Sequence, residues 1–315
     1  MIESGSHSPG ISADMFRLPP HTALRYERPE ASLRDHLASY FVLDSEHPYV
    51  TSEWMLPSWS KIWFVFTDEP VKVRIGNRRY DLPQAALCGV TSRAMPVAAR
   101  GGVTIGVDVS PLGWARLFSQ SAEALRDRVT PLQELMRPPW VDELTMALGD
   151  SDRALDVKGI LDAFFASRMP GPHPDEPIVA RIMALLVDDG IADLATAAAE
   201  VGIDPRALRR LSKRYFGFPP KTLMMRTRFL RSFLAMLGRG AQADPGWVPP
   251  AYHDASHFIR DAKRFLGMTP RQFLSLDAPF LHAALRARAL VLGAPTSSLA
   301  PRQAGPTAGT HPRRK

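Results

Sequence analysis

A proline-rich segment divides the chain more sharply than any other feature. The segment MPGPHPDEP, residues 169–177, holds four prolines in nine residues. Proline restricts the backbone and lacks the amide hydrogen that a helix needs, so no continuous helix is expected to cross this segment. The 315 residues therefore separate into two parts, and we expect each part to bury a core of its own.

Short apolar runs broken by turn signals fill the first part as far as Val109. Gly76-Asn77 is typical of a hairpin, and Gly101-Gly102 is a second predicted turn. Seven strands at this spacing favour a small barrel or sandwich. The predicted strands are Tyr40–Leu43, Lys61–Thr67, Val71–Ile75, Arg79–Leu82, Ala86–Val90, Met95–Ala99 and Val103–Val109.

After Pro111 the apolar residues recur with helical spacing. Short helical segments precede the proline-rich segment, and Leu155–Phe165 is a longer amphipathic helix. Every element beyond residue 177 is also predicted as a helix. The end of the chain, from about Gly293, is rich in Pro, Gly, Ala, Ser and Thr and finishes in a basic cluster, which indicates a disordered basic tail.

Charge is distributed unevenly between the two parts. Residues 1–177 hold 18 Lys and Arg against 23 Asp and Glu, whereas residues 178–315 hold 21 against 9. The formal net charge of +7 therefore comes entirely from the second part. This asymmetry favours an acidic module joined to one that binds a polyanion.

Several classes of protein are excluded by what the sequence lacks. Cys88 is the only cysteine, so a disulfide framework and a cysteine-based zinc cluster are excluded. No apolar run reaches the roughly 18 residues of a membrane helix, and residues 1–10 lack the features of a signal peptide. No catalytic serine motif, phosphate-binding loop or dinucleotide motif occurs. We therefore expect a cytoplasmic protein with no enzyme activity and no cofactor.

Residues 178–216 have the pattern helix, helix, tight turn, helix. Asp193 can cap a short alanine-rich helix, Gly202 allows a tight turn, and Asp204-Pro205 is a typical helix start. In the helix that follows, apolar residues face inward. Its outer side holds Arg206, Arg209, Arg210 and Lys213. This is the helix-turn-helix pattern, whose second helix fits the major groove of DNA.

A second copy of the pattern follows. Tyr252-His253-Asp254 is a turn with an aspartate cap, and the helix Ser256–Leu266 exposes Ser256, Arg260 and Lys263. Between the copies runs one helix, Lys221–Leu237, roughly 25 Å long at 1.5 Å per residue. This length is comparable with the ~34 Å between successive major-groove faces. One chain can therefore read two adjacent groove segments.

These residues resemble a known family. The motifs Gly202-x-x-Pro205-Arg206-x-Leu208-x-Arg210, Tyr215-Phe216-Gly217-x-x-Pro220 and Ala251-Tyr252-His253-Asp254-Ala255-Ser256-His257-Phe258-x-Arg260 are similar to the AraC/XylS-type DNA-binding domain. The front half resembles, on Leu56-Pro57, Ile62-Trp63-Phe64 and Gly113-Trp114-Ala115, the β-barrel sensor domain that precedes this unit in some members.

The resemblance implies an α+β fold class. A small cupin-like β-barrel or sandwich with flanking helices would precede an all-α domain, in which a linker helix joins two helix-turn-helix units. The expected organisation is a disordered leader (1–20), a β-rich sensor or dimerisation domain with trailing helices (21–168), a linker (169–177), the AraC-type DNA-binding domain (178–280), and a terminal helix with the disordered basic tail (281–315).

The family pattern also implies which residues contact DNA. Base or backbone contacts fall on Arg206, Arg209 and Arg210 in the first unit and on Ser256 and Arg260 in the second. Lys213 and Lys263 suit phosphates, and His257 lies near the DNA backbone. The family has a regular helix before the second turn, whereas the segment 244–250 contains three prolines. The first helix of the second unit is therefore expected to be short or distorted.

One pair of histidines superficially suggests a metal site. His253 and His257 are four residues apart with an acid between them, which superficially resembles a zinc motif. Asp254 is better used as a helix cap, which places His253 outside the helix, and no third ligand is evident. We expect no metal. Cys88 ends an apolar run, which favours a buried structural thiol over a redox sensor.

Two roles stay open for the front half. It can bind a small molecule in a barrel lined by residues such as Trp54, Trp59, Trp63, Phe64 and Phe66, or it can only dimerise, with Leu155–Phe165 as the partner helix.

The sequence therefore predicts a cytoplasmic, sequence-specific DNA-binding transcription regulator that binds double-stranded DNA as a homodimer. RNA polymerase and a small-molecule effector are further candidate partners, and no membrane partner is expected. The alternative is a non-specific nucleic-acid-binding protein with a dimerising front domain. A single-strand binder would need exposed stacking aromatics, whereas the aromatics of the basic half occupy mainly core positions.

Overall fold

The computed structural model describes residues 1–187, 193–239, 248–296 and residue 299. The first part is an antiparallel sheet, and helices follow it, which confirms the predicted α+β fold class. The strands are β1 (Thr22–Glu27), β2 (Leu37–Met55), β3 (Ser60–Phe66), β4 (Lys72–Ile75), β5 (Arg78–Asp81), β6 (Ala85–Cys88), β7 (Met95–Val109) and β8 (Val129–Pro131). The helices of this part are α1 (Pro111–Leu117), α2 (Ala122–Leu125), α3 (Pro138–Asp150) and α4 (Val157–Arg168). Together they are called the front domain.

The remaining helices begin at Glu176, near the end of the proline-rich segment. They are α5 (Glu176–Val187), α6 (Leu194–Val201), α7 (Pro205–Phe216), α8 (Pro220–Arg239), α9 (Ala255–Phe265), α10 (Pro270–Leu274) and α11 (Pro279–Leu292). The proline-containing segment 244–250, for which we expected a short or distorted first helix of the second unit, lies outside the described residues as far as Trp247, as does most of the basic tail. Within the described ranges, no helix is long and apolar enough to cross a membrane.

The sheet is covered on both faces, which explains its long apolar strands. Its order is β1-β2-β7-β3-β6-β8, and β4 pairs with β7 and β5. Along β3, Ile62 and Phe64 pack on one side with helices of the front domain, whereas Trp63 and Val65 pack on the other. A continuous apolar run is therefore a strand whose alternate residues enter two different cores.

The turns of the sheet are partly as predicted. Gly76, at φ 60°, forms the hairpin between β4 and β5, in which Ile75 pairs with Arg78. The turn predicted at Gly101-Gly102 is wrong, because both residues lie inside β7, which runs without a break from Met95 to Val109. Their positive φ values of 65° and 84° bend that strand where its register with β2 shifts.

Two strands, β1 and β8, were not predicted from the sequence. All residues of β1 are buried, including Arg25 and Glu27, whose side chains pair at 3.1 Å. Buried charges that satisfy each other remove the alternation of apolar and polar residues by which a strand is recognised. The three-residue β8 is too short to have such a pattern.

The first 20 residues differ from the expected loose leader. Gly5 forms a β-bridge with Arg25, and residues 13–16 form a 3-10 helix. Phe16 at the end of this helix is fully buried against the sheet.

The two halves share their cores, contrary to the expectation of separate ones. One cluster joins Ile62 and Phe64 of the sheet to Leu208 and Phe216 of α7. Another joins Leu56 and Ala94 of the front domain to the aromatic core of α8, α9 and α10. The basic helices are therefore held against the front domain by buried apolar contacts.

Candidate nucleic-acid interface

The turn between α6 and α7 is built as the sequence predicts. The Asp193 carboxylate accepts hydrogen bonds from the amides of Ala195 and Thr196 at 2.8 and 2.9 Å. Gly202 ends α6 at φ 72°, a conformation that favours glycine. The Asp204 carboxylate then caps α7, 2.8 Å from the amide of Arg206. These capped ends fix the angle between the two helices, which are called the first unit.

Helix α7 has one buried side and one exposed side. Leu208, Leu211, Tyr215 and Phe216 are buried. Arg206, Arg209 and Arg210, all predicted as DNA contacts, are exposed in the first half of the helix. Arg206 stands in the first turn of α7, at the positive end of the helix dipole, which favours an anion there rather than a cation.

The fourth predicted residue of this helix, Lys213, has a protein partner. Its ammonium lies 3.1 Å from the carboxylate of Glu123 in α2, and both side chains are about two-fifths exposed. Lys213 is therefore placed at the edge of the exposed side, where the front domain neutralises it.

Helix α9 forms the corresponding part of the second unit, defined here as residues 248–274. The Asp254 carboxylate caps it, 2.7 Å from the amide of His257, and His253 lies outside the helix as predicted. Phe258, Ala262 and Phe265 are buried. The predicted contacts Ser256, Arg260 and Lys263 are exposed.

His257 is half-buried and belongs to a polar network that the sequence analysis missed. Its Nε2 lies 3.3 Å from a guanidinium nitrogen of Arg228 in α8. Arg228 donates to the buried Asp261 carboxylate at 3.0 Å, and the Tyr252 hydroxyl donates to the same carboxylate at 2.8 Å. Burial and the bond to Asp261 both raise the pKa of Tyr252. The network joins α8 to α9, and its sequence signal is that Asp261 falls on the same side of α9 as the buried Phe258 and Phe265.

A groove of about 1280 Å³ lies between the two units. Basic side chains from three helices line it, including Arg209 of α7, Lys221 and Arg228 of α8, and His257 of α9. The exposed sides of α7 and α9 are therefore connected by further positive charge.

The front domain packs closely against the C-terminal end of α7. Gly217, at φ 76°, ends the helix so close to Val90 that a Cβ atom there would lie 2.3 Å from a methyl group of Val90. Phe216 packs edge-on against Trp59, with 5.6 Å between ring centroids. These contacts hold the far end of α7 and leave its arginine-bearing half exposed.

Arg226 of α8 is completely buried at the same junction. Its guanidinium donates to the Thr91 carbonyl at 3.1 Å and lies 4.7 Å from the centroid of the Trp59 ring. Burial lowers the pKa of Arg226 to about 10. A buried guanidinium held by a carbonyl and an aromatic ring is a positioning contact between the two halves, and one basic residue of the second part is thereby unavailable to DNA.

The front domain contains a cavity of about 100 Å³ between the sheet and α11. Trp54 and Trp63 line it, as predicted. Trp59 and Phe64 belong to the opposite core, and Phe66 packs against that core, so the sequence assigned these three to the wrong side of the sheet. The error arises because residues that alternate along a strand point to opposite faces.

The polar end of this cavity holds a buried charge cluster. Lys61 donates to the Asp108 carboxylate, Arg288 of α11 lies 3.6 Å from it, and Ser39 donates to it at 2.8 Å. Burial acts to raise the pKa of Asp108, but the two cations hold it below its usual value. Two basic side chains therefore share one carboxylate.

One polar group in the cavity wall lacks a partner. The indole nitrogen of Trp63 is buried and makes no hydrogen bond in the described part of the chain. An unsatisfied buried donor is costly and is rare in folded proteins. In residues 1–187, 193–239, 248–296 and 299, no group of three or more His, Cys, Asp or Glu side chains could hold a metal ion.

The helix proposed for dimerisation uses its apolar face internally. Val157, Leu161, Phe164 and Phe165 of α4 are buried in the front-domain core. Leu155, which precedes the helix, is 58% exposed. The amphipathic pattern of 155–165 therefore describes packing within one chain.

Comparison with known proteins agrees with this geometry. Residues 197–275 match a family model described as a helix-turn-helix domain, and this range contains both α7 and α9. The match confirms the helix-turn-helix domain that the sequence predicts in this part of the chain. No curated protein matches the chain.

Solved structures similar to the chain have low sequence identity to it. ToxT from Vibrio cholerae with a bound unsaturated fatty acid is 11% identical, over 72% of this chain and 94% of that one, with a TM-score of 0.42. The AraC-like transcriptional activator CuxR is 12% identical, over 67% of this chain and 86% of that one, with a TM-score of 0.23.

Proposed function

We propose that this chain, which carries a helix-turn-helix domain of AraC/XylS type in its C-terminal half, is a sequence-specific DNA-binding transcription regulator. The observation that carries the proposal is the exposed first half of α7. There Arg206, Arg209 and Arg210 stand on a helix that is capped, buried on its other side and preceded by a tight turn. This is the arrangement by which a recognition helix presents arginines to base edges.

The chemistry assigns different roles to the basic residues. Arg209 and Arg210 can bond the O6 and N7 atoms of guanine in the major groove, and the paired donors of a guanidinium suit this bidentate contact. Lys213 and Lys263 carry compact charges that suit phosphates, which contribute affinity without sequence preference. Ser256 and Arg260 take the base-reading role on α9.

Two adjacent groove segments are the proposed target. Helix α8 has 20 residues and is about 30 Å long, close to the ~34 Å of one DNA turn. It lies between α7 and α9 in the chain and packs against both. We therefore propose that α8 acts as the linker helix between the two units.

Selection of genomic DNA fragments on the purified full-length protein tests this proposal. At physiological salt we expect a recovered motif with two blocks about one helical turn apart. Salt-sensitive binding without any motif would instead support the alternative, a non-specific nucleic-acid-binding protein.

We also infer that the front domain binds a small-molecule effector in the cavity beneath α11. Its walls are mainly apolar, the unpartnered Trp63 indole offers a donor, and Lys61 and Arg288 share one carboxylate. These features suit a ligand with an apolar body and an anionic hydrogen-bond acceptor.

Anilinonaphthalene sulfonate, an apolar anion that fluoresces in dry pockets, is a suitable probe for this cavity. We expect Trp63→Phe to weaken its binding severalfold, because the variant removes the unpartnered indole donor from the wall. Trp140→Phe is the matched control, because Trp140 is a half-buried residue of α3 and lies outside the cavity. Equal binding to both variants would remove the cavity from the proposal.

A cytoplasmic location, a homodimer and contact with RNA polymerase stay predictions. The single buried thiol, Cys88, is consistent with a reducing compartment.

A further inference from the structure

Helix α11 follows the DNA-binding domain in the chain but packs on the front domain. It contacts β1, β2 and the 3-10 helix of residues 13–16. At its start, the Glu53 carboxylate of β2 accepts hydrogen bonds from the amides of Phe280 and Leu281 at 2.9 and 3.1 Å. Farther along, Arg286 donates to the Phe16 and Arg17 carbonyls at 3.0 and 3.1 Å. Polar contacts along its length thus bind α11 to the sheet.

The same helix closes the effector cavity. Phe280, Leu281, Ala284, Leu285 and Arg288 form its wall opposite the sheet. Ligand pockets usually enclose roughly 300–1,000 Å³, several times the volume of about 100 Å³ seen here. The opposite wall is a sheet packed on both faces. A ligand that enters must therefore displace α11 rather than the strands.

The cavity wall is continuous with the core of the second unit. Leu56, Leu281 and Leu285 line the cavity and also belong to the cluster that contains Phe265 of α9 and Phe273 of α10. Trp54, another lining residue, packs edge-on against Phe273, with 5.6 Å between ring centroids. In addition, only residues 275–278 separate α10 from α11.

The first unit is attached elsewhere. No described residue of α6 or α7 lines the cavity. Both helices pack in the other cluster, on the opposite face of the sheet from α11. A displacement of α11 therefore reaches α9 and α10 directly, whereas α7 keeps its contacts with α1 and α2.

We propose that α11 is the coupling element of this protein: effector binding beneath it repositions the second unit and leaves the first unit in place. This inference rests on the proposed effector site. It predicts that the effector changes the spacing between two bound DNA blocks rather than the sequence that α7 recognises.

Backbone hydrogen exchange of the full-length protein tests the coupling without DNA. In Ala284→Leu the larger side chain occupies part of the cavity, as a ligand would. Ala289→Leu makes the same change at an exposed position of α11 and is the control. We expect Ala284→Leu to raise exchange in α9–α10 by roughly threefold or more while α6–α7 stays unchanged, and Ala289→Leu to alter neither. Unchanged α9–α10, or an equal rise in α6–α7, would overturn the proposal.

A second variant keeps the test decisive if Ala284→Leu fails to fold. Glu53→Gln weakens the cap of α11 without adding volume, and the same pattern of exchange is expected. Because exchange is measured on the free protein, a failure to bind DNA selectively would refute the proposed function and leave this coupling intact. Conversely, if the protein binds DNA selectively but neither variant raises hydrogen exchange in α9–α10, only the role of α11 is refuted.

Discussion

The ammonium of Lys213 lies 3.1 Å from the carboxylate of Glu123, so the front domain holds a cation of the first recognition helix. Lys213 stands on α7 beside the exposed arginines, whereas Glu123 stands on α2. An exposed ion pair of this kind contributes little to stability. Its consequence lies instead in the charge that α7 presents to a phosphate backbone.

Removal of the Glu123 charge should strengthen DNA binding. In Glu123→Gln, Lys213 is released for a phosphate contact, so the affinity should rise and the slope of log K against log salt should steepen by about 0.9. Lys213→Gln should have the opposite effect. Titrations of duplex DNA at several salt concentrations measure both slopes. Glu143→Gln, which breaks an exposed ion pair between Glu143 of α3 and Arg168 of α4, is the control. If it behaves like Glu123→Gln, only the net charge of the protein matters.

Loss of either central arginine of α7 should reduce discrimination between DNA sequences. Arg209→Ala or Arg210→Ala should cost about 1–3 kcal/mol of specific binding, because a bidentate contact to guanine is lost. Binding to random DNA should change much less. Arg79→Ala, an equal loss of charge on exposed β5, serves as control. Both arginine variants retaining the full ratio of specific to random binding would contradict the assignment.

Acid should weaken the junction between α1 and α5. The Arg116 guanidinium, 2.6 and 2.8 Å from the Glu176 carboxylate, holds the pKa of that carboxyl at about 2, below its ordinary value of 4.5. Because the pKa is depressed by folding, the stabilisation is fully present above about pH 4.5 and disappears as the pH falls towards 2.

Urea unfolding across this pH window measures the effect. Between pH 4.5 and 2, the free energy of unfolding of Glu176→Gln should fall by about 1–2 kcal/mol less than that of the native protein, once solvent screening is allowed for. Glu143→Gln, whose side chain is 58% exposed, should follow the native curve. If the free energy of unfolding falls equally with pH in all three proteins, the Arg116–Glu176 pair makes no measurable contribution to stability.

Cys88 should be unreactive while the protein is folded. Burial raises the pKa of its thiol to about 12, so almost no thiolate exists near neutral pH. An aromatic disulfide reagent should label it only at the rate of unfolding and completely in guanidinium chloride. Rapid labelling of the native protein would instead reopen the role of a redox sensor.

Local sequence signals predicted the first unit and α9 well. Asp193, Gly202, Asp204 and Asp254 act within a few residues of their positions, through hydrogen bonds to nearby amides or through their own backbone angles. Interactions of this range are encoded by neighbouring residues, so a single sequence is sufficient to infer them.

Signals that depend on distant residues were misread. The Gly101-Gly102 pair bends a strand instead of reversing it, because its partner in the sheet is β2, about fifty residues away. Trp59 and Trp63 look alike in the sequence, yet Trp59 packs on Phe216 and Trp63 lines the cavity. Which face of a strand meets which helix depends on how the whole chain packs.

The sequence by itself determined the order of sheet and helices, the capped turns and the basic face of α7, since these follow from residues adjacent in the chain. The tertiary structure alone decided that Arg226 is buried at a junction, that Lys213 meets Glu123, and that α11 returns to close a cavity. These relationships join positions up to 270 residues apart, as in the hydrogen bond from Arg286 to the Phe16 carbonyl. No local propensity encodes them, because burial and charge pairing depend on the packed neighbours that only the folded chain brings together.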